Sequence, residues 1–259
     1  IIINAPAKIN LHLEVIGKRK DGFHELAMVM QSINLSDQLE IEINNNGKLN
    51  LKTDSLKLDN GDENLIIKAG RLIKNFSGKK ELGANILLRK NIPIGAGLAG
   101  GSSDAAATLI GLNKLWNLNL NSKTLHQLAS RLGSDVPFCI KGGSQYCFGR
   151  GEILKKYNFT NPYGLILIKN PNISISTADV YKKYHDKYSR FINLSNVNIE
   201  KIRDELQNLG FINNDIFQKK IKIRNDLQKI VQCECKSVNV GLEILSNLDN
   251  SLCVSMSGS

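Results

Sequence analysis

The chain has 259 residues, with 34 Lys and Arg against 24 Asp and Glu, a formal charge of +10 and a pI near 9.3. That length holds one large domain or two ordinary ones, and 42% apolar with 22% charged residues is the balance of a folded protein, which excludes disordered, collagen-like and low-complexity classes. No run reaches the roughly 18 apolar residues of a membrane-spanning helix, and Lys8 and Asn10 interrupt the amino-terminal apolar run before it can read as a signal peptide. No membrane partner and a cytoplasmic location are therefore expected.

In chain order, Ile9, Leu11, Leu13 and Val15 fall on one face of a first strand, and Lys8, Asn10, His12 and Glu14 on the other. Residues 18–22 end in Asp-Gly and predict a turn, after which a second strand runs to about Leu35. Residues 38–43 and 49–53 extend an antiparallel region, and Ile66, Ala69, Leu72, Ile73 and Phe76 share one face of a first helix. A strand at 84–89 leads into a glycine-rich loop at 93–103, and 104–116 returns to helical periodicity. A further helix carries Leu125, Leu128, Ala129 and Leu132 and stops at Gly133. Strands are expected at 137–148 and 163–169. From about Asn172 the pattern is mainly helical, with 216–231 the longest helix and 252–256 a late strand. No internal repeat is visible, and a domain boundary is expected near 157–162, around Asn161 and Pro162.

The positive charge raises the question of nucleic acid. Lys outnumbers Arg 26 to 8 and there are 30 Asn, a bias that A/T-rich codons produce without any selected partner. The lysines do not cluster beyond pairs such as Lys79-Lys80, Lys155-Lys156 and Lys182-Lys183, whereas a nucleic-acid surface needs a concentrated basic patch with stacking or base-reading residues. No nucleic-acid partner is expected. The cysteines, five in number (Cys139, Cys147, Cys233, Cys235, Cys253), are scattered and read as reduced thiols. Only Cys233 and Cys235 lie close together and the histidines are far apart, so no metal-ligand set can be assigned.

The chemistry concentrates in the loop, where Gly95, Gly97, Gly100 and Gly101 precede Ser102-Ser103 at the start of strong helix sequence. Glycines let backbone N–H groups approach an anion, and a helix N-terminus adds unpaired donors and a favourable dipole. A phosphate site is the reading; a flexible linker is the alternative. Gly95-x-Gly97-x-x-Gly100 matches the dinucleotide fingerprint in letters, but the acidic residue expected about 20 positions on is missing, since 105–134 hold no Asp or Glu. The Gly-Lys-Ser/Thr of a Walker loop and the protein-kinase motifs are missing too.

The segment Ile94-Gly-Ala-Gly-Leu-Ala-Gly-Gly-Ser-Ser-Asp-Ala-Ala resembles the signature loop of the GHMP kinases. Ala5-Pro-Ala-Lys-Ile-Asn-Leu-His-Leu13, Asp21-Gly-Phe-His-Glu-Leu26, Asp62-Glu-Asn-Leu-Ile66 and Leu132-Gly-Ser-Asp-Val-Pro-Phe138 narrow the likeness to the branch that uses ATP to phosphorylate the 2-hydroxyl of a cytidine-diphosphate-linked methylerythritol, in the non-mevalonate route to isoprenoids. The resemblance is close over about residues 4–185 and looser beyond. It implies an α+β, two-domain GHMP kinase fold: a ribosomal-S5-like amino-terminal lobe at 1–158 carrying the ATP phosphate loop, and a ferredoxin-like carboxyl-terminal lobe at 159–259.

By the same resemblance Asp135 is the catalytic base and Lys8 its partner. ATP contacts come from Asn64, Lys90, Pro93, Ile94, Gly95, Ala96, Gly97, Leu98, Ala99, Gly100, Gly101, Ser102 and Ser103. Phe23 and Tyr181 flank the cytosine, His24 hydrogen-bonds it, and Asn10 reaches the methylerythritol. Phe23 stands where the branch commonly has Tyr, which keeps the ring and loses its hydroxyl. Mg2+ is implied as the ATP counter-ion, with no protein ligand assigned; the oligomeric state is not implied. The family continues its third motif as Ser-Gly-Ser-Gly-Pro-Thr with a further strand and helix, whereas this sequence stops at Ser257-Gly258-Ser259, so an incomplete carboxyl-terminal lobe is expected. The other readings are a GHMP kinase of the homoserine or mevalonate type, and a catalytically idle relative that binds nucleotide or RNA.

Overall fold

Alternation carries the opening strands further than the turn signals suggest. In the computed structural model, which describes residues 1–55, 58–156, 164–170, 172–188, 194, 197–208 and 224–258, β1 spans Ile2–Lys18 and β2 spans His24–Asn44. The two expected strands at 24–35 and 38–43 are one, because no glycine or proline interrupts them. The chain groups into two compact units that share these strands: one comprises Ile1–Lys8, Ser32–Ile94 and Leu98–Gly143, the other Ile9–Gln31, Gly95–Gly97 and Ser144–Ser259. The boundary expected at 157–162 lies outside the described residues.

In the first unit β4 (Gly83–Arg89) runs antiparallel to the second half of β2, with Gln38 opposite Arg89 and Asn44 opposite Gly83, and β3 (Leu49–Thr53) lies parallel to β4. Four helices accompany it: α1 (Leu65–Ser77), α2 (Gly100–Leu115), α3 (Ser122–Ser130) and α4 (Val136–Lys141). Leu39, Ile41, Ile86 and Leu88 of the strands share one core with Ile66 and Ile73 of α1 and Ala105, Leu109 and Leu112 of α2. The small residues of α2 allow close approach: a Cβ at Gly111 would come within 2.6 Å of Ile41 Cδ1. α1 starts where the Asn64 side chain accepts from the Ile66 N–H at 2.9 Å and stops at Gly78, whose φ of 71° suits glycine.

The expected strand at 137–148 is a correction. Its first half is α4, and only Ser144–Gly149 forms a strand, β5. Pro137 sits in the first turn of α4, where its missing N–H costs nothing, and Gly142 and Gly143, both at positive φ, separate helix from strand.

In the second unit β5 pairs antiparallel with the first half of β2, from Leu26 opposite Gly149 to Gln31 opposite Ser144, and β6 (Ile153–Lys156) pairs with β5. The helices here are α5 (Thr177–Tyr188), α6 (Ile199–Asn208), α7 (Gln228–Glu234) and α8 (Lys236–Ser246). Ile16, Ala27, Val29, Tyr146, Phe148 and Leu206 form its buried core.

The expected helix at 216–231 is corrected where it can be followed. Arg224–Asn225 is a short strand, β7, parallel to β1 at His12 and Leu13, and helix begins only at Gln228; residues 216–223 lie outside the described residues. Asn225 and Asp226 explain the break: Asn225 Oδ1 accepts from Leu227 N–H, a donor a helix would otherwise use, and Asp226 Oδ2 accepts from the Val15 N–H of β1, which holds the segment on the sheet. Residues 164–170 and 252–256 carry no strand. Leu165, Ile166, Leu167 and Ile168 are 39–62% exposed, so the apolar pattern there is only partly covered by the described residues, with a Cβ at Gly241 of α8 lying 3.9 Å from Ile168 Cγ2. No helix of the described residues is long and apolar enough to cross a membrane.

Candidate active site

Lys8 lies on β1 beside the start of α2. Its backbone N–H donates to the Leu98 carbonyl at 3.1 Å, and the Ser103 hydroxyl donates to the Pro6 carbonyl at 2.7 Å. These two bonds fix the strand against the loop end that opens the helix. The Lys8 ammonium is 3.6 Å from Asp135 Oδ2, with side-chain exposures of 2% for Lys8 and 31% for Asp135. An ammonium so deeply buried needs a nearby negative charge to offset its lost hydration. Asp135 holds the N-cap position of α4, yet its side chain makes no capping bond. Its carboxylate therefore lies near Lys8 and is partly open to solvent. One helical turn on, burial first and then the Asp135 carboxylate push the Cys139 thiol far up, keeping it protonated.

The loop before α2 adopts left-handed backbone at Gly95 (φ 66°), Gly97 (φ 70°) and Ala99 (φ 56°). Left-handed residues alternating along a loop turn successive N–H groups to one side, the arrangement that holds an anion. Ala99 lacks glycine's freedom, and its conformation stores about 1–2 kcal/mol of strain. It is also the N-cap of α2 and offers no side-chain bond, leaving the first-turn N–H groups without a side-chain partner from that position. A Cβ at Gly95 would meet Ser174 Oγ, and one at Gly97 would run into Gly258 Cα.

The two outlying ATP candidates of the first unit are engaged locally. Asn64 caps α1 with its oxygen and donates from Nδ2 to the Asp59 carbonyl at 2.7 Å. Lys90 is nearly buried and its ammonium bonds both Asp37 and, at 3.0 Å, Asp104.

The second unit holds the substrate candidates. The His24 ring stacks on Tyr181 at 5.1 Å and 25°, and meets His185 edge-on at 5.9 Å. Burial first, then the charge of His185 and Lys18, hold the His24 imidazole below its usual range, and its buried Nε2 has no hydrogen-bond partner among the described residues. Phe23 is 49% exposed and carries the Arg150 guanidinium over its ring at 4.8 Å. Thus Tyr181 lies against His24, while the face of Phe23 is covered by an arginine.

Asn10 donates from Nδ2 to the Ser257 carbonyl at 2.7 Å, and its backbone N–H donates to Ser257 Oγ at 3.2 Å. Asn225 holds the same segment by donating to the carbonyls of Met256 and Gly258 at 2.7 and 2.9 Å. Sequence reasoning passed over Asn225. The available signal was an Arg-Asn-Asp triplet inside a supposed helix, since Asn and Asp favour caps and turns.

Residues 64–143 match the model of the GHMP kinases N terminal domain. Over 259 residues the chain is 57% identical to the 4-diphosphocytidyl-2-C-methyl-D-erythritol kinase of Prochlorococcus marinus subsp. pastoris, covering all of this chain and 83% of that protein. This chain belongs to the 4-diphosphocytidyl-2-C-methyl-D-erythritol kinase family. Its fold is similar to a crystal structure of 4-(cytidine 5'-diphospho)-2C-methyl-D-erythritol kinase, with a TM-score of 0.67 and 30% identity over all of this chain and 88% of that one. A homoserine kinase from Cytophaga hutchinsonii follows the fold at a TM-score of 0.65 and 14% identity, covering all of this chain and 82% of that one. The α+β GHMP kinase fold implied by the loop is the fold of this family member.

Proposed function

We propose that this chain is an ATP-dependent kinase that phosphorylates the 2-hydroxyl of 4-diphosphocytidyl-2-C-methyl-D-erythritol, in the non-mevalonate route to isoprenoid precursors. The observation that carries the reading is the Lys8–Asp135 pair beside an uncapped helix N-terminus, in a chain 57% identical to a kinase of that name. Phosphoryl transfer asks a protein for positioning and charge neutralisation more than for covalent chemistry. Asp135 takes the proton of the 2-hydroxyl as its oxygen bonds to the γ-phosphorus; the bond to the bridging oxygen breaks, and ADP leaves with the electron pair. Lys8 favours the ionised form of Asp135 and offsets negative charge on the transferring group. Backbone N–H groups between Ile94 and Ser102 donate to the ATP phosphates; Pro93 has none, and the Ser103 N–H donates to the Ala99 carbonyl.

Among the described residues no group of three or more His, Cys, Asp or Glu side chains could hold a metal ion. Mg2+ would enter as the counter-ion of the ATP phosphates, and no step here runs through a protein-bound metal. His24 and Tyr181 would engage the cytosine, with Phe23 beside them and Asn10 toward the methylerythritol; stacking on an aromatic face contributes about 1–3 kcal/mol per base. A cytoplasmic setting and a small-molecule substrate rather than a nucleic acid complete the reading.

Asp135→Asn tests the assignment. Its kcat is expected to fall about 10²–10⁴-fold while ATP still binds, measured by coupled ADP release and by calorimetry. Near-normal turnover would remove Asp135 as the base. Offering homoserine and mevalonate in place of the cytidine substrate tests the branch: turnover of either at a comparable kcat/KM would move the chain to another GHMP kinase.

A further inference from the structure

Beneath the start of α2 lies a cluster whose two carboxylates the proposed reaction does not use. Asp37 and Asp104 are buried to 0% and 3% exposure and share the ammonium of Lys90. Asp37 is satisfied on its other oxygen, which accepts from the backbone N–H groups of Asn91 at 2.6 Å and Ile92 at 2.8 Å. Asp104 is not: its Oδ1 is buried with no hydrogen-bond partner among the described residues. The cluster touches the phosphate loop, since a Cβ at Gly100, the first residue of α2, would lie 3.2 Å from Lys90 Nζ.

Among the described residues Lys90 is the cation bonded to these carboxylates; Arg89, next to it on β4, lies opposite Gln38, and the Lys90 backbone N–H donates to Asp54 at 3.1 Å. The charged residues of α1, Lys68, Arg71 and Lys74, turn to Glu63, Asp62 and the Gly47 carbonyl. From α4 the protonated Cys139 is the ionisable group that feels Asp104, and Lys8 of β1 pairs with Asp135. Two carboxylates against one ammonium would leave a net buried negative charge directly under a helix N-terminus built to receive phosphate.

We propose that Asp104 works as a neutral carboxylic acid, a positioning residue that, with Lys90 and Asp37, holds the start of α2 in its anion-binding form, and that its ionisation weakens nucleotide binding. The proposal rests on the ATP reading above for its functional consequence, and on the cluster's geometry for the proton. Burial, the largest cause, together with the neighbouring Asp37 carboxylate, pushes the Asp104 carboxyl up to about 7 against the pull of Lys90. Ionised Asp37, anchored by two N–H groups as well as by Lys90, keeps the charge, while Asp104 keeps the proton. As pH rises through neutrality that proton is lost, and the new charge opposes the positive end of the α2 dipole.

The test compares the full chain with Asp104→Asn, which mimics the neutral acid in shape. Binding of ATP without metal is measured by calorimetry at intervals from pH 6 to 8.5, alongside a ¹³C-carboxyl NMR titration of Asp-labelled protein. The ratio of the wild-type dissociation constant to that of the variant is expected to rise roughly tenfold over that range, about one unit-charge interaction in a partly screened site. Taking the ratio cancels the titration of ATP itself and of the histidines. NMR should show one carboxyl titrating near neutrality that Asp104→Asn removes and that Asp37→Asn moves downward, because Lys90 then serves Asp104 alone.

A flat ratio overturns the proposal, and so does an Asp104 carboxyl that titrates in the ordinary range. If ATP does not bind at all, the functional reading fails, and the NMR titration still decides the protonation of Asp104. If ATP binds with the expected ratio and no cytidine substrate turns over, the positioning role stands while the kinase reading falls.

Discussion

Lys8 shows how much one residue's surroundings decide its role. An ammonium at 2% exposure carries a large desolvation cost, and the carboxylate 3.6 Å away offsets part of it. Lys8→Met keeps the length and apolar stem of the side chain and removes the charge. The expected result is a loss of about 10²–10³ in kcat, the scale of one preorganised electrostatic contact, with a thermal midpoint at or above that of the wild type. A fall in stability without a fall in kcat would make Lys8 a structural residue. The sequence placed Lys8 on the polar face of β1, and that was right as periodicity. It could not show that Leu98 and Ser103, ninety or more positions away, bond the backbone of this strand beside Lys8, because burial of a polar strand face is a tertiary fact. Tyr181 could be tied to His24 only by a loosely matching stretch, and its place against that ring depends on how α5 folds back.

At the scale of elements, the long periodic segments were legible: α1 and α2 fall within a few residues of their expected spans, since one apolar face over three turns has few other solutions. Short apolar runs were not. The residues of α4 read as strand because six residues cannot distinguish the two periods, and only Pro137 in a first turn argues for helix. The caps also reassign residues. Asn64 joins α1 to its preceding turn, so Asn64→Ala should cost about 1 kcal/mol, a drop of about 2–4 °C in the unfolding midpoint for a chain of this size. Scanning calorimetry with and without ATP separates its two roles. A variant whose KM for ATP stays at the wild-type value acts through the cap alone; a KM raised out of proportion to the stability loss restores a nucleotide contact.

Over the whole molecule the charge of +10 regains a meaning that its scattered lysines seemed to deny. Both proposed substrates are polyanions, and a positive field raises their local concentration without any dedicated patch. Raising ionic strength from 0.02 to 0.3 M shortens the screening length from about 20 Å to below 10 Å, and kcat/KM for ATP should fall several-fold while kcat changes little. An unchanged kcat/KM would return the charge to codon bias. This term was present in the composition from the outset, but only a site with anionic ligands gives it a direction.

The bond from the Asn10 backbone to Ser257 joins residues 247 positions apart. During synthesis at about 5–20 residues per second, the strand bearing Lys8 and Asn10 waits roughly 12–50 s for that partner. That contact forms only after Ser257 has been made, so a nascent chain carries its glycine-rich loop long before the brace between Asn10 and Ser257.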